Sequence, residues 1–573
     1  MIYFKSTGSI LLSAVLFFLM PNDTAAQKTK QSNNYELTIH HEVPDDAYIP
    51  ELQPEQGRSP AYRNRGSFFF TTQVNVDEDG ENIEDDAANE PSIAIDPANP
   101  DKMVIGWRQF DHASSNFRQA GYAYTLDGGE SWTFPGVIEP GVFRSDPVLS
   151  YDKYGNIYYN SLTTDFQDNY WCHVFIMDEQ IEEWDEGTYA QGGDKQWMNI
   201  DRTEGIGSDN IYSNWTSSYS ICYPDFFTRS TDGGASYEDC VFVMGDPRLG
   251  TVAVGPEGEV YVAGVSWEGF IFSKSYNAQN PDEMIFWQNY KVVDLGGGFG
   301  GGNGSGPNPG GLLGQVWVTA DMSVGPDRGN IYILCSVNPF GSDPQDVMLV
   351  RSTDGGETWS SPVRVNDDER ADNWQWFGTL SVAPNGRIDV VWLDTRDAIP
   401  GSYESSLYYS YSVDGGQTFS ANERVSELFD PHDGWPNQQK MGDYFHMVSD
   451  DCCAHLAWAN TLNGEQDVYY TRIDPWFVGI DEKAMEAKID VSVFPNPASD
   501  EVTVRYRNPE SSRVEIALYD IYGKLIKVLA NNNQTAGLHT FRFDGTGLPA
   551  GVYTCRVQSG VSSAATKITI LKR

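Results

Sequence analysis

A short glycine-centred phrase occurs four times in the chain and constrains its fold more than any other feature. In every copy an aspartate precedes two adjacent glycines, and a hydroxyl residue followed by an aromatic residue ends the phrase. The aspartate can accept hydrogen bonds from backbone N–H groups, and glycine allows a positive φ, so each copy predicts a tight turn between two antiparallel strands. The copies are TLDGGESW (125–132), RSTDGGASY (229–237), RSTDGGETW (351–359) and SVDGGQTF (412–419).

This phrase resembles the Asp-box, or BNR repeat, of sialidase-like β-propellers. The resemblance implies a propeller fold in which the Asp-boxes lie at the periphery of the blades, away from the axial pocket. It therefore implies a structural role for the four aspartates, which are Asp127, Asp232, Asp354 and Asp414.

A longer unit recurs between residues 90 and 476, and its most regular part is a strand of β-branched, aromatic and small residues that follows a turn. Seven such strands begin at intervals of roughly 50 to 70 residues, about the length of a four-stranded blade with its loops. The chain is thus predicted to be all-β, with a seven-bladed propeller, or alternatively a six-bladed one, over residues 67–476. The strand predicted at 67–76 is expected to complete the last blade. The seven strands lie at 103–107, 157–162, 211–215, 260–265, 331–337, 388–393 and 454–459.

The N-terminal residues form a charged, an apolar and a small-residue segment in that order. A lysine, an apolar stretch over 10–20 and the small residues Ala25 and Ala26 indicate a signal peptide over 1–26, followed by a flexible leader over 27–66. No other apolar run approaches the length of about 20 residues that a membrane-spanning helix needs.

After a linker at 477–489, residues 490–573 alternate apolar and polar side chains as in a small β-sandwich. This tail contains the phrases PNPASD, LYDIYGK and LPAGVY, with which it resembles the type A C-terminal sorting domain of the type IX secretion system. The resemblance implies passage across an outer membrane, a contact with the secretion machinery, and release from or attachment to the cell surface. A carbohydrate-binding or generic immunoglobulin-like domain is the alternative.

The formal net charge of −43 disfavours nucleic acid and anionic lipid as partners. An acidic segment at 77–90 begins like a calcium loop but lacks the later bidentate glutamate, so we expect a solvated loop and no cofactor, with Ca²⁺ as the alternative. Seven cysteines allow disulfides in an exported protein. Cys222 and Cys240 flank one turn and could pair, whereas the adjacent Cys452 and Cys453 are not expected to bridge each other.

Candidate site residues come from the starts of the inner strands and from the loops between blades, which meet at one mouth of a propeller channel. In a functional interpretation, arginines bind a carboxylate, an aspartate acts as general acid or base, and a tyrosine acts as nucleophile or proton donor. In a structural interpretation, which the recurrence of these phrases favours, the same residues hold neighbouring blades together. The predicted catalytic residues are Asp146, Asp443 and Tyr444, and the predicted substrate-binding residues are Arg108, His112, Arg144, Trp197, Trp376, Asp394 and Arg396.

Three functions remain open from the sequence. The chain is expected to act on or bind extracellular carbohydrate, as a glycoside hydrolase of acidic glycans or as a polysaccharide lyase that uses histidine and tyrosine. Alternatively it is a non-catalytic surface module that binds glycan or protein. The Arg-Ile-Pro phrase of catalytic sialidases is absent from the sequence, no metal-ligand motif is present, and we expect a monomer.

Overall fold

The computed structural model describes residues 45–49, 56–165, 169–177, 183–300, 305–475, 491–508, 511–519, 524–559 and 562–572. The predicted signal peptide and the predicted linker lie outside these ranges. In the described part of the chain, no helix has the length and apolar content needed to span a bilayer.

Antiparallel sheets dominate the described residues, and seven of them follow one another along the chain. The inner strand of each sheet contacts the inner strand of the next, and the inner strand of the seventh contacts that of the first, so the sheets form a closed ring. The predicted all-β propeller fold is confirmed.

We number the sheets as blades in chain order and give their strands from the axis outwards. Blade 1 has Ala87–Ile95, Met103–Phe110, Gln119–Thr125 and Thr133–Ile138; blade 2 has Ser145–Tyr151, Ile157–Thr164, Tyr170–Met177 and Thr188–Tyr189; blade 3 has Trp197–Ile200, Ile211–Asn214 and Phe227–Ser230. Blade 4 has Val252–Val254, Val260–Ser266, Gly269–Ser275 and Lys291–Val293; blade 5 has Trp317–Ala320, Ile331–Pro339, Asp346–Ser352 and Val363–Arg364, with Gly297–Phe299 also on its second strand. Blade 6 has Gln375–Val382, Ile388–Asp394, Ser406–Ser412 and Glu423–Arg424; blade 7 has His446–Ser449, Ala454–Asn460, Asp467–Ile473, Phe69–Gln73 and Arg63–Arg65.

The ring is closed by a strand from the beginning of the chain. Phe69–Gln73 pairs with Asp467–Ile473, and Thr71 lies opposite Thr471. Blade 7 thus combines both ends of the propeller sequence, as the sequence predicted. The Oγ atoms of these two threonines lie 2.9 Å apart. The flexible leader predicted over 27–66 differs from the structure at its end, because Arg58–Ser59 and Arg63–Arg65 form paired strands there.

Each glycine-centred turn is closed by the same set of hydrogen bonds. In the first copy Asp127 Oδ1 accepts the N–H of Ser131 at 2.9 Å, and Asp127 Oδ2 accepts its hydroxyl at 2.6 Å. The hydroxyl of Thr125 donates to Asp127 Oδ1 at 2.7 Å and accepts the N–H of Gly129. Burial opposes ionisation, but these bonds lower the pKa of Asp127. The other three copies repeat the arrangement around Asp232, Asp354 and Asp414.

The turns also join neighbouring blades, because the second glycine approaches an aromatic or aliphatic side chain of the preceding blade. A Cβ atom on Gly129 would lie 2.2 Å from the Tyr470 ring, and one on Gly356 would lie 2.2 Å from the Phe272 ring. The aromatic residue that ends each of these turns packs on the same ring, with Trp132 at 5.4 Å from Tyr470. The phrase thus shapes the turn and fastens one blade to the next.

Two disulfides are present among the described cysteines. Cys222 pairs with Cys240 around the turn of blade 3, as the sequence allowed. Cys452 pairs with Cys453, so the expectation that these neighbours would not bridge is wrong. Their N–H groups both donate to Asp450 Oδ1, which holds the two residues in one tight turn and brings the sulfurs together.

The C-terminal residues form the predicted β-sandwich with its own core. One sheet has Val491–Phe494, Glu501–Asn508 and Gly537–Asp544. The other has Leu525–Gln534, Ser512–Tyr519, Gly551–Ser559 and Ser562–Ile570. Val502, Ile516 and Val557 are fully buried between them.

Candidate functional site

A residue with positive φ lies near the start of every inner strand, either just before the strand or within its first residues. Five of these residues are not glycine, although the left-handed region costs free energy for residues with a side chain. The feature recurs once in each blade, and at three blades the residue is charged. The positions are Glu90 (51°), Asp146 (47°), Lys195 (57°), Leu249 (54°), Gly314 (148°), Phe377 (57°) and Gly442 (91°).

A group of charged side chains lies near the axis, at the face of the ring where the inner strands start. We call it the axial charge cluster, and none of its members has more than 3% of its surface exposed. It contains three acids and three bases. Its members are Glu90, Arg108, Asp146, Lys195, Lys440 and Asp443.

Ion pairs connect all six members. Lys195 Nζ lies 2.9 Å from Asp443 Oδ2 and 3.3 Å from Asp146 Oδ2. Lys440 Nζ lies 2.8 Å from Asp443 Oδ2 and 3.6 Å from Glu90 Oε1. Arg108 Nη2 completes the chain of contacts at 3.2 Å from Glu90 Oε1. Because unpaired buried charges are costly, this connectivity is what allows six ionisable groups to lie inside the fold.

Burial shifts the protonation of the cluster. It raises the pKa of Glu90 to about 8. The positive charge of Arg108 lowers this pKa, whereas the negative charges of Asp146 and Asp443 raise it further. Burial also raises the pKa of Tyr444 well above its usual value. The Tyr444 hydroxyl donates to the carbonyl of Pro147 at 2.7 Å, which joins blade 7 to blade 2.

A glycine-rich segment covers the cluster from the strand-start face. The side chain of Asn308 is fully buried and donates to the carbonyl of Gly442 at 2.9 Å, and Asp443 Oδ1 accepts the N–H of Leu312 at 2.8 Å. A Cβ on Gly311 would lie 2.6 Å from the carbonyl of Gly442, so only glycine allows this close approach. Residues 305–314 therefore pack against the residues that precede the inner strand of blade 7.

The structure brings four of the predicted site residues together and separates the others. Asp146, Asp443, Tyr444 and Arg108 lie in or beside the axial charge cluster. Arg144 is buried at the edge of blade 2, where it pairs with Glu139 and lies 3.1 Å from His173 Nδ1. His112 is half-buried in the turn after the second strand of blade 1.

The predicted residues of blade 6 contact each other and the blade beside them. Asp394 is fully buried and accepts hydrogen bonds from Trp392 Nε1 at 2.9 Å and from Arg396 Nε at 2.9 Å. Arg396 also pairs with Asp367 at 2.7 Å, which ties blade 6 to the end of blade 5. Trp376 is fully buried and donates to Ser405 Oγ at 3.1 Å.

A cavity of about 830 Å³ lies on the axis at the other face, where the inner strands end. All seven inner strands contribute to its wall. Its inner end is aromatic: Trp197 and Trp317 lie 4.9 Å apart, and the ring of His446 is stacked on Trp317 at 6.0 Å. Of the predicted residues, Trp197 therefore reaches this cavity.

His446 is held as a neutral ring. Its Nδ1 accepts the N–H of Ile93 at 3.2 Å and lies 2.8 Å from Ser92 Oγ, which leaves the proton of the neutral ring on Nε2. Burial, with a smaller contribution from Arg202, lowers the pKa of His446 to about 3. At neutral pH the ring is thus an N–H donor without charge.

The walls of the cavity alternate apolar and polar side chains, and its mouth is charged. Asn199, Thr319 and Ser381 are partly exposed on the inner strands of blades 3, 5 and 6. The carboxylates among the lining residues, Glu204 and Glu257, are both exposed at the rim. The sequence offered little signal for this wall, since single polar residues on short strands form no motif.

The C-terminal tail matches the model of a known protein family. The family model described as Secretion system C-terminal sorting domain matches residues 492–571. The tail therefore marks the chain for secretion and attachment at the cell surface, and it implies an interaction with the secretion machinery. No curated protein matches the sequence.

Solved structures that resemble the chain share little sequence with it. A protein of unknown function from Dyadobacter fermentans DSM 18053 has a TM-score of 0.39 and 12% identity, over 72% of this chain and 99% of that chain. PorZ, a surface component of the type IX secretion system of Porphyromonas gingivalis, has a TM-score of 0.31 and 12% identity, over 89% of this chain and 75% of that chain. A Hadza microbial sialidase has a TM-score of 0.33 and 10% identity, over 65% of this chain and 76% of that chain.

Proposed function

We propose that this exported propeller is a carbohydrate-binding protein of the cell surface, and that the cavity at the ends of the inner strands holds the sugar. The observation that carries the proposal is the aromatic inner end of that cavity, formed by Trp197, Trp317 and His446. Sugars present apolar C–H faces to aromatic rings and hydroxyl groups to polar side chains, and the cavity offers both. Its volume of about 830 Å³ is in the range of small-molecule sites.

Binding without cleavage is favoured by the distribution of carboxylates. Glycoside hydrolases use two carboxylates on either side of the scissile bond. The lining carboxylates, Glu204 and Glu257, are both at the solvent-exposed rim, and Glu204 lies 3.4 Å from Lys153 Nζ. The acids at the strand starts are buried in ion pairs, which supports a structural role for Asp146 and Asp443.

The test uses a variant that fills the cavity. Thr319→Trp places a large ring at a partly exposed position of the wall, and Thr133→Trp makes the same change on the exposed outer strand of blade 1 as a control. The full chain is screened on a glycan array that includes sialosides, uronate polysaccharides and neutral glycans, and hits are measured by calorimetry. We expect a hit whose affinity is lost in Thr319→Trp and kept in Thr133→Trp.

Two results would reject the proposal. One is a glycan that binds equally well to Thr319→Trp, which would place its site elsewhere. The other is release of product from a bound glycan by the purified protein, which would show an enzyme. Light scattering on the same samples tests the expected monomer.

A further inference from the structure

A second group of acids lies where the closing strand meets blade 1, separate from the axial cavity and from the axial charge cluster. Asp86 precedes the inner strand of blade 1, and Asp467 begins the third strand of blade 7. Asp86 is 2% exposed and Asp467 is 0% exposed. Glu465, which is half-buried, lies beside this group, since its Oε1 accepts the N–H of Asp85 at 3.0 Å.

In the described part of the chain, the side chains that donate hydrogen bonds to the two buried carboxylates are all neutral. Asp467 Oδ1 accepts the amide of Asn75, and Asp467 Oδ2 accepts the amide of Asn463. Asp86 Oδ2 accepts Gln109 Nε2 at 2.8 Å. Among the described residues, no lysine, arginine or histidine forms an ion pair with Asp86 or Asp467. This contrasts with the axial charge cluster, where each acid has a basic partner.

One carboxylate oxygen in this group is buried and has no partner. Asp86 Oδ1 is inaccessible to solvent and accepts no hydrogen bond from the described residues. The two carboxylates are neighbours in the fold, because the N–H of Ala88 donates to the carbonyl of Gln466 at 2.8 Å and so joins the two segments that carry them. A buried oxygen that accepts nothing, next to a second uncompensated carboxylate, needs a positive charge.

Further side-chain oxygens converge beside Asp467. The amide nitrogen of Asn463 lies 3.3 Å from Gln73 Oε1 and 3.1 Å from Asn82 Oδ1, as well as against Asp467 Oδ2. An amide nitrogen carries two protons, so three acceptors around it exceed what it can donate. Carboxylate and amide oxygens are the ligands that Ca²⁺ takes in proteins.

We propose that a calcium ion binds between Asp86 and Asp467, beside Glu465, and locks the ring where the two ends of the propeller sequence meet. The ion neutralises the two buried carboxylates and supplies the missing partner of Asp86 Oδ1. Because the protein is exported, it meets the millimolar calcium at which extracellular modules bind this ion. The acidic segment at 77–90, expected to be a solvated loop, thus contributes a ligand through its buried residue Asp86.

The experiment measures thermal unfolding of the full chain after treatment with a chelator, at pH 7.5, with CaCl₂ or MgCl₂ added back. Terbium luminescence excited through tryptophan gives a second readout, since Trp107 Nε1 donates to the Gln109 that holds Asp86. We expect calcium to raise Tm by several degrees and to displace terbium. Asp86→Asn and Asp467→Asn are expected to weaken calcium binding at least about tenfold.

Asp79→Asn is the matched control, because it removes one charge from the exposed part of the same acidic segment. It should keep the full calcium response. If the two carboxylates instead share a proton, calcium leaves the Tm of the wild-type protein unchanged, and with CaCl₂ present Asp86→Asn is at least as stable as the wild type. Either of these results overturns the proposal, and so does a calcium response that Asp79→Asn abolishes. The wild-type titration decides the question even if a buried variant does not fold.

Discussion

Lys195 of blade 3 forms an ion pair with Asp443 of blade 7 across the axis of the ring, with 2.9 Å between Nζ and Oδ2. These blades are not neighbours in the ring, so the contact fixes the distance between inner strands that no sheet connects. Asp443 Oδ2 also forms an ion pair with Lys440, whose Nζ lies 2.8 Å away. The Asp443 carboxylate thus contacts two buried ammonium groups at the strand-start face, of which Lys195 also lies beside Asp146 and Lys440 beside Glu90.

Removing that carboxylate should destabilise the propeller strongly. Asp443→Ala leaves Lys195 and Lys440 with less compensating charge in a buried site, and breaking such a pair costs about 3–5 kcal/mol. Glu357→Gln is the control, because it breaks the exposed pair between Lys291 and Glu357, which solvent screens and which should contribute little to stability. Denaturant unfolding measures both. A loss for Asp443→Ala as small as that of the control would contradict a structural role for the cluster.

The cluster should also make stability depend on pH through Glu90. Its pKa is about 8 in the folded protein and 4.5 as the ordinary value, so the folded protein keeps a proton that the unfolded chain releases. Stability attributable to Glu90 is therefore present below pH 4.5 and is lost as pH rises to 8, with a slope of up to about 1.4 kcal/mol per pH unit.

Glu90→Gln should remove this part of the pH dependence while keeping a neutral side chain of the same size. Denaturant unfolding at half-unit steps from pH 5 to pH 8.5 compares the two proteins. If the wild-type protein becomes no less stable relative to Glu90→Gln over this range, Glu90 is ionised in the fold and its pairs with Arg108 and Lys440 dominate.

Much of the fold could be predicted because its signals are local. The glycine-centred turns need only eight or nine consecutive residues, and the second strands are continuous β-branched and aromatic runs. All seven predicted second strands coincide with second strands of the structure. The closing strand before Val74 was predictable for the same reason.

The site depends on residues that are far apart in the sequence and form no phrase. Glu90, Lys195 and Lys440 were missed, although each lies within three residues of a predicted position or strand start. The available signal was the start of each inner strand, where one residue takes a positive φ. The sequence did not reveal it, because only two of these seven residues are glycine. Whether Asp443 has a catalytic or a structural role depends on its burial, and sequence spacing does not reveal burial.

The glycine-centred turns should contribute to stability without affecting the cavity. Asp127→Ala removes the acceptor for the Thr125 hydroxyl and for both donors of Ser131, so the Tm of the full chain should fall by a few degrees. Leu126→Ala, at a 61% exposed position of the same turn, is the control and should leave Tm nearly unchanged. Equal Tm values for the two variants would mean that packing of Trp132 alone holds the turn.

Sugar binding in the cavity should not depend on pH between 5 and 8. His446 has its pKa lowered to about 3, so its ring stays neutral over this range and donates through Nε2 throughout. His446→Phe keeps the ring on Trp317 but removes the donor, and loss of one neutral hydrogen bond should weaken binding roughly 2- to 10-fold. The control is His539→Phe, which preserves the stacking on Tyr506 in the sorting domain.

Protonation of His446 would have a separate effect on the fold itself. Because the folded pKa lies below the ordinary 6.5, the unfolded chain takes up this proton first, and stability attributable to the buried neutral ring is lost as pH falls from 6.5 toward 3.

Calorimetric titrations at pH 5, 6, 7 and 8 with the glycan identified on the array test the predicted pH independence of sugar binding. An affinity that drops between pH 7 and pH 6 in the wild type and not in His446→Phe would show that the ring titrates in this range and that it is not the fixed donor inferred from its contacts with Ser92 and Ile93.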